Sequence, residues 1–151
     1  MPINPDFIGR EFPQSEPYEV SREKIREFAA AIGDDNPAYT SRDEARALGH
    51  PDVIAPPTFA IVLGLRIGTG LVHDPELGVD YSRVVHGEQR FVHHRPIRAG
   101  DVLVGTPRVE DVRSRGGNET LTWSADIRTV DGEPVCVAVN TLVVRGARDP
   151  S

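Results

Sequence analysis

The chain carries a helical hydrophobic period in its first half and a strand period in its second. Ile25, Phe28, Ala29 and Ile32 fall at i, i+3, i+4 and i+7 behind Ser21, a good N-cap residue. A helix is therefore predicted over 21–33, with Gly33 as its stop. Residues 1–20 hold Pro2, Pro5, Pro13 and Pro17, which predicts an extended lead-in with one short strand. Ser41-Arg42-Asp43-Glu44 has capping-box spacing and opens a short helix that turns Ala45 and Leu48 inward, with Gly49 at its end. Ala55-Pro56-Pro57-Thr58 then leads into Phe59, Ile61, Val62, Leu63, Leu65 and Ile67. These cover most of a helix circumference, and a helix apolar nearly all round is a buried one. Gly68 and Gly70 are read as its end, which bounds the central helix at about 57–68.

From about residue 83 the period drops to two. Leu121, Trp123, Ala125, Ile127 and Thr129 alternate with Thr122, Ser124, Asp126 and Arg128, the pattern of a half-buried strand. Residues 135–144 are apolar on both faces, as in a central strand. Gly116-Gly117-Asn118 and Asp131-Gly132 mark hairpin turns, so strands are predicted over 83–95, 101–113, 119–130 and 135–144. From Arg145 onward the chain is expected to fray. The one long apolar helix has only a face of the sheet to bury itself against. The fold class is therefore α+β, a single hot-dog domain over residues 1–151 with a core of about 8–146. Its curled antiparallel sheet wraps around the central helix. One copy leaves a sheet edge unpaired, which predicts edge-to-edge dimerisation.

Composition narrows the function. The 151 residues suit one domain, burying roughly 68–70% of the unfolded surface. Lys plus Arg is 17 and Asp plus Glu is 23, a formal net charge of −6. That argues against broad electrostatic binding of nucleic acid or an anionic membrane. No apolar run approaches the roughly 18 residues of a membrane span. Met1-Pro2-Ile3-Asn4-Pro5-Asp6 lacks signal-peptide layout, so a cytoplasmic protein is expected. Cys136 is the only cysteine, which excludes an intrachain disulfide and a cysteine-based zinc cluster. It reads as a small buried hydrophobe. His93 and His94 are adjacent on a predicted strand and point to opposite faces, and in an unbroken strand His86 shares the face of His94. No second cluster of metal-ligand spacing is visible, and neither metal nor cofactor is expected. Arg108, Arg113, Arg115 and Arg128 read as a solvated sheet face.

Two stretches carry a resemblance. One is Gly33-Asp34-Asp35-Asn36-Pro37, followed by Ala45 and the apolar helix. The other is Phe91-Val92-His93-His94-Arg95-Pro96-Ile97-Arg98-Ala99-Gly100-Asp101. Together they resemble a MaoC-like dehydratase across about residues 8–146. The first is similar to that family's hydratase motif, Gly-Asp-x-Asn-Pro-(apolar)-His, and the second to its Pro-x-x-x-Gly-Asp-(apolar) junction. Residues 18–28 and Ala55-Pro56-Pro57-Thr58-Phe59 resemble the branch with a FAS1-like dehydratase N-terminal domain. That branch includes the A-type and C-type subunits of mycobacterial (3R)-hydroxyacyl-carrier-protein dehydratase. The resemblance implies reversible addition of water across a trans-2-enoyl thioester, giving the (3R)-hydroxyacyl thioester. Such chemistry needs a carboxylate and an imidazole around one water. It also needs an N–H at the start of the central helix for the enolate-like oxygen, and an apolar tunnel for the acyl chain.

Two positions depart from the pattern. Asp34 falls on the family's catalytic Asp, and Asn36 and Pro37 match, but the catalytic His falls on Tyr39. A phenol with a pKa of about 10 is a poor general base at neutral pH. Active relatives resemble Ala-His-Gly at the helix entrance, where this chain has Ala55-Pro56-Pro57. Proline offers no N–H, so Thr58 is the first amide donor. The resemblance thus implies an acyl-chain-binding, weakly or non-catalytic subunit of a dehydratase dimer. Its partner is either a MaoC-type subunit bearing the Asp-His pair or a second copy. Asn36, Pro57, Thr58, Phe59 and Val62 are the expected substrate-binding residues, and an acyl thioester of coenzyme A or carrier protein is the expected ligand. Three alternatives stay open. One is a self-sufficient hydratase using Asp34 with Tyr39 or His50. Another is a thioesterase, disfavoured because residues 59–70 hold no Asp or Glu. The last is a non-enzymatic acyl- or small-molecule-binding protein.

Overall fold

The structure is a computed structural model that describes residues 2–146. Helix α1 (Arg22–Ala31) starts where Ser21 Oγ accepts from the Lys24 N–H at 3.0 Å. It ends where the Gly33 N–H donates to Ala30 O and the Asp34 N–H to Ala29 O. Gly33 sits at φ +71°, the left-handed position that closes a helix without Cβ strain. Helix α2 (Arg42–Ala47) repeats the device, with Ser41 as cap and Gly49 and His50 closing on Arg46 and Ala45. Ala45 is buried as predicted, but Leu48 is 66% exposed. It is the C-cap of a six-residue helix, where the chain already turns away from the core.

Helix α3 (Ala60–Ile67) begins later than predicted, because the Phe59 N–H closes a turn on Pro56 O. It buries Ala60, Leu63, Gly64 and Ile67, one face at i, i+3, i+4 and i+7. All-round burial does not hold, since Leu65 is 61% exposed in a single copy. Gly68 caps the C-terminal end of α3, as predicted; it donates to Gly64 O and accepts from the Val72 N–H, joining α3 directly to α4 (Thr69–Val72). Gly68 is also required for packing, because a Cβ there would overlap the six-membered ring of Trp123. Gly68→Ala is therefore expected to lower stability by about 1–3 kcal/mol. The check is the urea midpoint at unchanged slope. A stabilised variant, as at an open helical glycine, would contradict the packing.

The sheet comprises β1 (Tyr18–Glu19), β2 (Val84–His93), β3 (Val102–Arg115), β4 (Asn118–Thr129) and β5 (Pro134–Val144). It is antiparallel throughout in the order β1-β3-β4-β5-β2. Gly116 and Gly117, both at positive φ, join β3 to β4 in a two-residue turn. The face carrying Leu121, Trp123, Ala125 and Ile127 packs into the core with α3. Residues 9–15 cover the β3 edge, with Gly9, Phe12 and Ser15 N–H groups donating to Val109, Pro107 and Gly105 carbonyls. The opposite edge, β2, has no partner strand among the described residues.

Strand β2 corrects the reading of its histidines. The register shifts between His86 and Glu88, so Gly87 is an extra residue that reverses the alternation. His86 pairs with Leu142 and His93 with Cys136, which puts both imidazoles on the concave face. At the C-terminus Arg145 N–H donates to Arg83 O and Gly146 N–H to Asn118 Oδ1. The rest of the expected frayed tail, 147–151, lies outside the described residues.

Candidate active site

The motif residues form a relay of local turns. Asp34 leaves the closed end of α1, and its Oδ1 accepts from the Asn36 N–H at 3.2 Å. Asn36 Oδ1 in turn accepts from the Ala38 N–H at 3.0 Å and starts a 3₁₀ turn over Pro37–Tyr39. Exposed Asn36 is thereby a capping residue that delivers Tyr39 into the protein, where it is 7% exposed. Tyr39 lines a cavity of about 350 Å³ with Pro56, Pro57, His93, His94 and Ile97. Asp34 borders a separate depression with Gly33 and Thr40. Burial pushes the Tyr39 hydroxyl above its ordinary value, and the charge and hydrogen-bonding capacity of the nearby Asp34 add to the rise. The phenol is therefore a neutral donor at neutral pH, not a base.

The helix entrance supplies the rest of the wall. Pro57 O accepts from His93 Nε2 at 2.8 Å. A carbonyl only accepts, so Nε2 carries a proton. Thr58 is exposed, and its N–H meets no protein acceptor among the described residues. Phe59 does not face the cavity. It is fully buried, edge-on to Phe28 with ring centroids 5.5 Å apart, and belongs to the core. Val62 is half-buried on α3. His50 borders neither the Tyr39 cavity nor the Asp34 depression. His94 lines the same cavity as His93, contrary to the strict alternation expected, because β2 ends at His93.

Two charge networks hold these walls. Arg95 clamps Asp101 with two bonds of 2.9 and 2.8 Å, and its Nε reaches Glu133 at 2.8 Å. Asp101 also accepts from the Arg98 N–H, closing the 95–101 loop on itself. The Ala55 N–H donates to Ile97 O at 2.7 Å and fastens that loop to the helix entrance. On the other side Arg22 grips Asp52 at 3.1 and 2.8 Å, and the Val53 N–H donates to the same carboxylate. Arg22, chiefly through these hydrogen bonds, holds the Asp52 carboxyl down at about 2. A depressed carboxyl contributes stability above its unfolded value, about 3.9, and loses it as pH falls through the folded value. With Arg22 half exposed, the expected contribution is about 1–2 kcal/mol. Asp52→Asn should lose it at neutral pH and flatten the stability curve between about pH 4 and pH 2. Urea titrations of both proteins across that range check this, and parallel curves would contradict it.

Cys136 is buried and pushed up to about 11, chiefly by burial, so it is no nucleophile. Among the described residues no group of three or more His, Cys, Asp or Glu is placed to hold a metal ion, and no helix is long and apolar enough to cross a membrane. The His93–Pro57 contact and the Arg95–Asp101 clamp were not read from the sequence. The first hides behind the Gly87 bulge, and the second joins residues that carry no periodic signal.

Comparisons place this geometry in a family. Residues 6–138 match the FAS1-like, dehydratase domain region family. A UPF0336 protein of Saccharopolyspora erythraea is 57% identical over 151 residues, 99% of this chain and 97% of that protein. A chain of the C-terminally truncated HadBC (3R-hydroxyacyl-ACP dehydratase) complex of Mycobacterium tuberculosis superposes with a TM-score of 0.81 at 32% identity. The match covers 91% of this chain and 97% of that one. A MaoC-like dehydratase gives 0.85 at 30% identity, over 93% of this chain and 43% of that longer chain. The chain belongs to the FAS1-like dehydratase family, of the MaoC hot-dog type related to (3R)-hydroxyacyl-ACP dehydratase.

Proposed function

We propose that this chain is the acyl-chain-binding, weakly or non-catalytic subunit of a (3R)-hydroxyacyl thioester dehydratase dimer. The observation that carries the reading is Tyr39, a buried phenol held neutral at the position where the chemistry needs an imidazole. Pro57 supports it, because the helix entrance presents no N–H at the oxyanion position. The acyl chain would run from Thr58 along the half-buried and exposed side of α3, past Val62 and Leu65. The uncovered β2 edge and that same helix face suit a partner subunit. In support, a relative of this fold is a complex, HadBC. The partner is a MaoC-type subunit with an intact Asp-His pair, or a second copy, and the ligand is an acyl thioester of carrier protein or coenzyme A.

The test mixes the purified chain with such a MaoC-type subunit and follows hydration of crotonyl and longer enoyl thioesters. The mixture is expected to turn over longer chains faster than the MaoC subunit alone. A MaoC subunit whose rate and chain-length preference ignore the added chain would contradict the proposal.

One observation favours a second reading, a self-sufficient hydratase. His93 shares the Tyr39 cavity and is anchored through Nε2 on Pro57 O, so it offers an imidazole from outside the motif. In that reading His93→Gln abolishes the pure chain's activity, and an unchanged rate removes the reading.

A further inference from the structure

Strand β2 is ten residues long and lies at a free edge of the sheet. A free edge offers its N–H and C=O groups to another strand. Which groups are free follows from the ladder on its other side. The His94 N–H donates to Val135 O. Bonding alternates along an antiparallel ladder, and the pairing with β5 is regular from Glu88 to His93. Glu88, Arg90 and Val92 therefore bond to β5, while Gln89, Phe91 and His93 turn N–H and C=O outward.

On the convex face, away from α3, β2 carries Val85, Glu88, Arg90 and Val92. All four are exposed, the two valines by 40% and 44%. Glu88 and Arg90 have no ion-pair partner among the described residues. An edge guarded against pairing carries proline or charges that repel a copy. This edge instead sets one charge of each sign between two valines. Reversed, the order apolar, acidic, basic, apolar is its own complement.

We propose that β2 is a self-recognition edge, on which a second copy of this chain pairs antiparallel with Gln89 opposite the partner's Gln89. Each Gln89 N–H then donates to the other's carbonyl. Glu88 faces the partner's Arg90, and Arg90 the partner's Glu88. These are non-hydrogen-bonded pairs, whose Cα atoms approach to about 4.5 Å and whose side chains lie closest. Gly87, the extra residue of the bulge, is passed over in both strands, so Val85 faces the partner's Val92. Centring the two-fold axis on Glu88 or Arg90 would oppose like charges. A slip of one residue would set convex side chains against concave ones.

The same register completes a site. His93, which lines the Tyr39 cavity, comes beside the partner's Val84 on the concave face. Val84 and His86 line a second cavity of about 230 Å³, shared with Leu65 and Trp123. Each Tyr39 cavity thereby gains a wall from the partner's strand, next to the partner's second cavity. The inference rests on the dimer reading above and, of its two partners, names the second copy.

Sedimentation velocity of the full chain over a range of concentrations tests it, with Glu88→Arg, Arg90→Glu and the double swap. The wild type is expected to be a dimer. Each single variant opposes like charges twice per dimer and should weaken it about 10- to 100-fold. The double swap restores opposite pairs and should return the affinity to near the wild-type value. Both positions are exposed, so the fold of each variant, followed by circular dichroism, is expected to stay the same. A dimer indifferent to the single variants, or not rescued by the double swap, would overturn the proposal. A chain that stays monomeric alone but joins a MaoC-type subunit would also overturn it and leave the dimer reading standing. A chain monomeric in both cases would overturn both.

Discussion

Replacing Tyr39 by His and Pro57 by Gly together is expected to raise enoyl-thioester hydration by the isolated chain at least about 100-fold. A positioned general base contributes about 10²–10⁴-fold and an oxyanion donor about 10²–10³-fold. The two act on one transition state, so each single change should give much less than its share of the double. The geometry favours the experiment. Residue 39 sits at the end of a capped turn and lines the cavity bordered by Pro57, with Asp34 close enough to perturb its hydroxyl. Glycine at 57 keeps the carbonyl that His93 donates to and restores the missing N–H. Its cost to stability is modest, about 0.4–1 kcal/mol through the looser unfolded chain. Hydration rates of wild type, both single variants and the double variant decide the matter. A folded double variant that stays inert would show that residues 39 and 57 are not what silences the chain. Attention would then turn to Asp34, which borders a different depression from Pro57.

Asp101→Ala is expected to lower stability by about 3–5 kcal/mol, because it leaves the Arg95 guanidinium buried without its partner. The Arg95 and Asp101 side chains are 14% and 6% exposed, and the carboxylate accepts three hydrogen bonds, two from Arg95 and one from the Arg98 N–H. The same change frees residues 95–101, whose Ile97 carbonyl holds Ala55 at the helix entrance. The Tyr39 cavity should therefore lose its shape along with the stability. Glu133→Ala is the internal control. Glu133 reaches the same Arg95 but is 52% exposed, so its loss is expected to cost about 1 kcal/mol or less. Urea midpoints of the two variants check the contrast, and similar small losses for both would contradict the clamp.

The parts of the fold that follow local chemistry could be read from the residues. Ser21 and Ser41 cap their helices, Gly33 and Gly49 close them, and the two-residue alternation of β4 is plain. Failures came where a residue serves a distant neighbour. Gly68 ends α3 as its position predicts, but its second role, making room for Trp123 55 positions on, leaves no local signal. The alternation of His86 and His93 broke on one inserted residue, Gly87, whose bulge no period reveals. Leu65 looked buried because its neighbours are apolar, but one copy of the chain covers only one side of α3. In the candidate site, Tyr39 and Pro57 stood out through the motif they interrupt. Phe59 reads as a wall residue from sequence and sits in the core against Phe28, because hydrophobic character does not distinguish a tunnel lining from a core. The Asp101 clamp closes a loop between two strands, where no periodicity marks its partners.

The central claim is that this dehydratase-family chain does not perform the hydration alone. The most direct measurement follows the loss of conjugated-enoyl absorbance of crotonyl and longer enoyl thioesters with the purified chain, beside Asp34→Asn as the control for contaminating activity. The account predicts the same background rate from both proteins, each folded by circular dichroism. A wild-type rate that disappears in Asp34→Asn would contradict it and make the chain a hydratase in its own right.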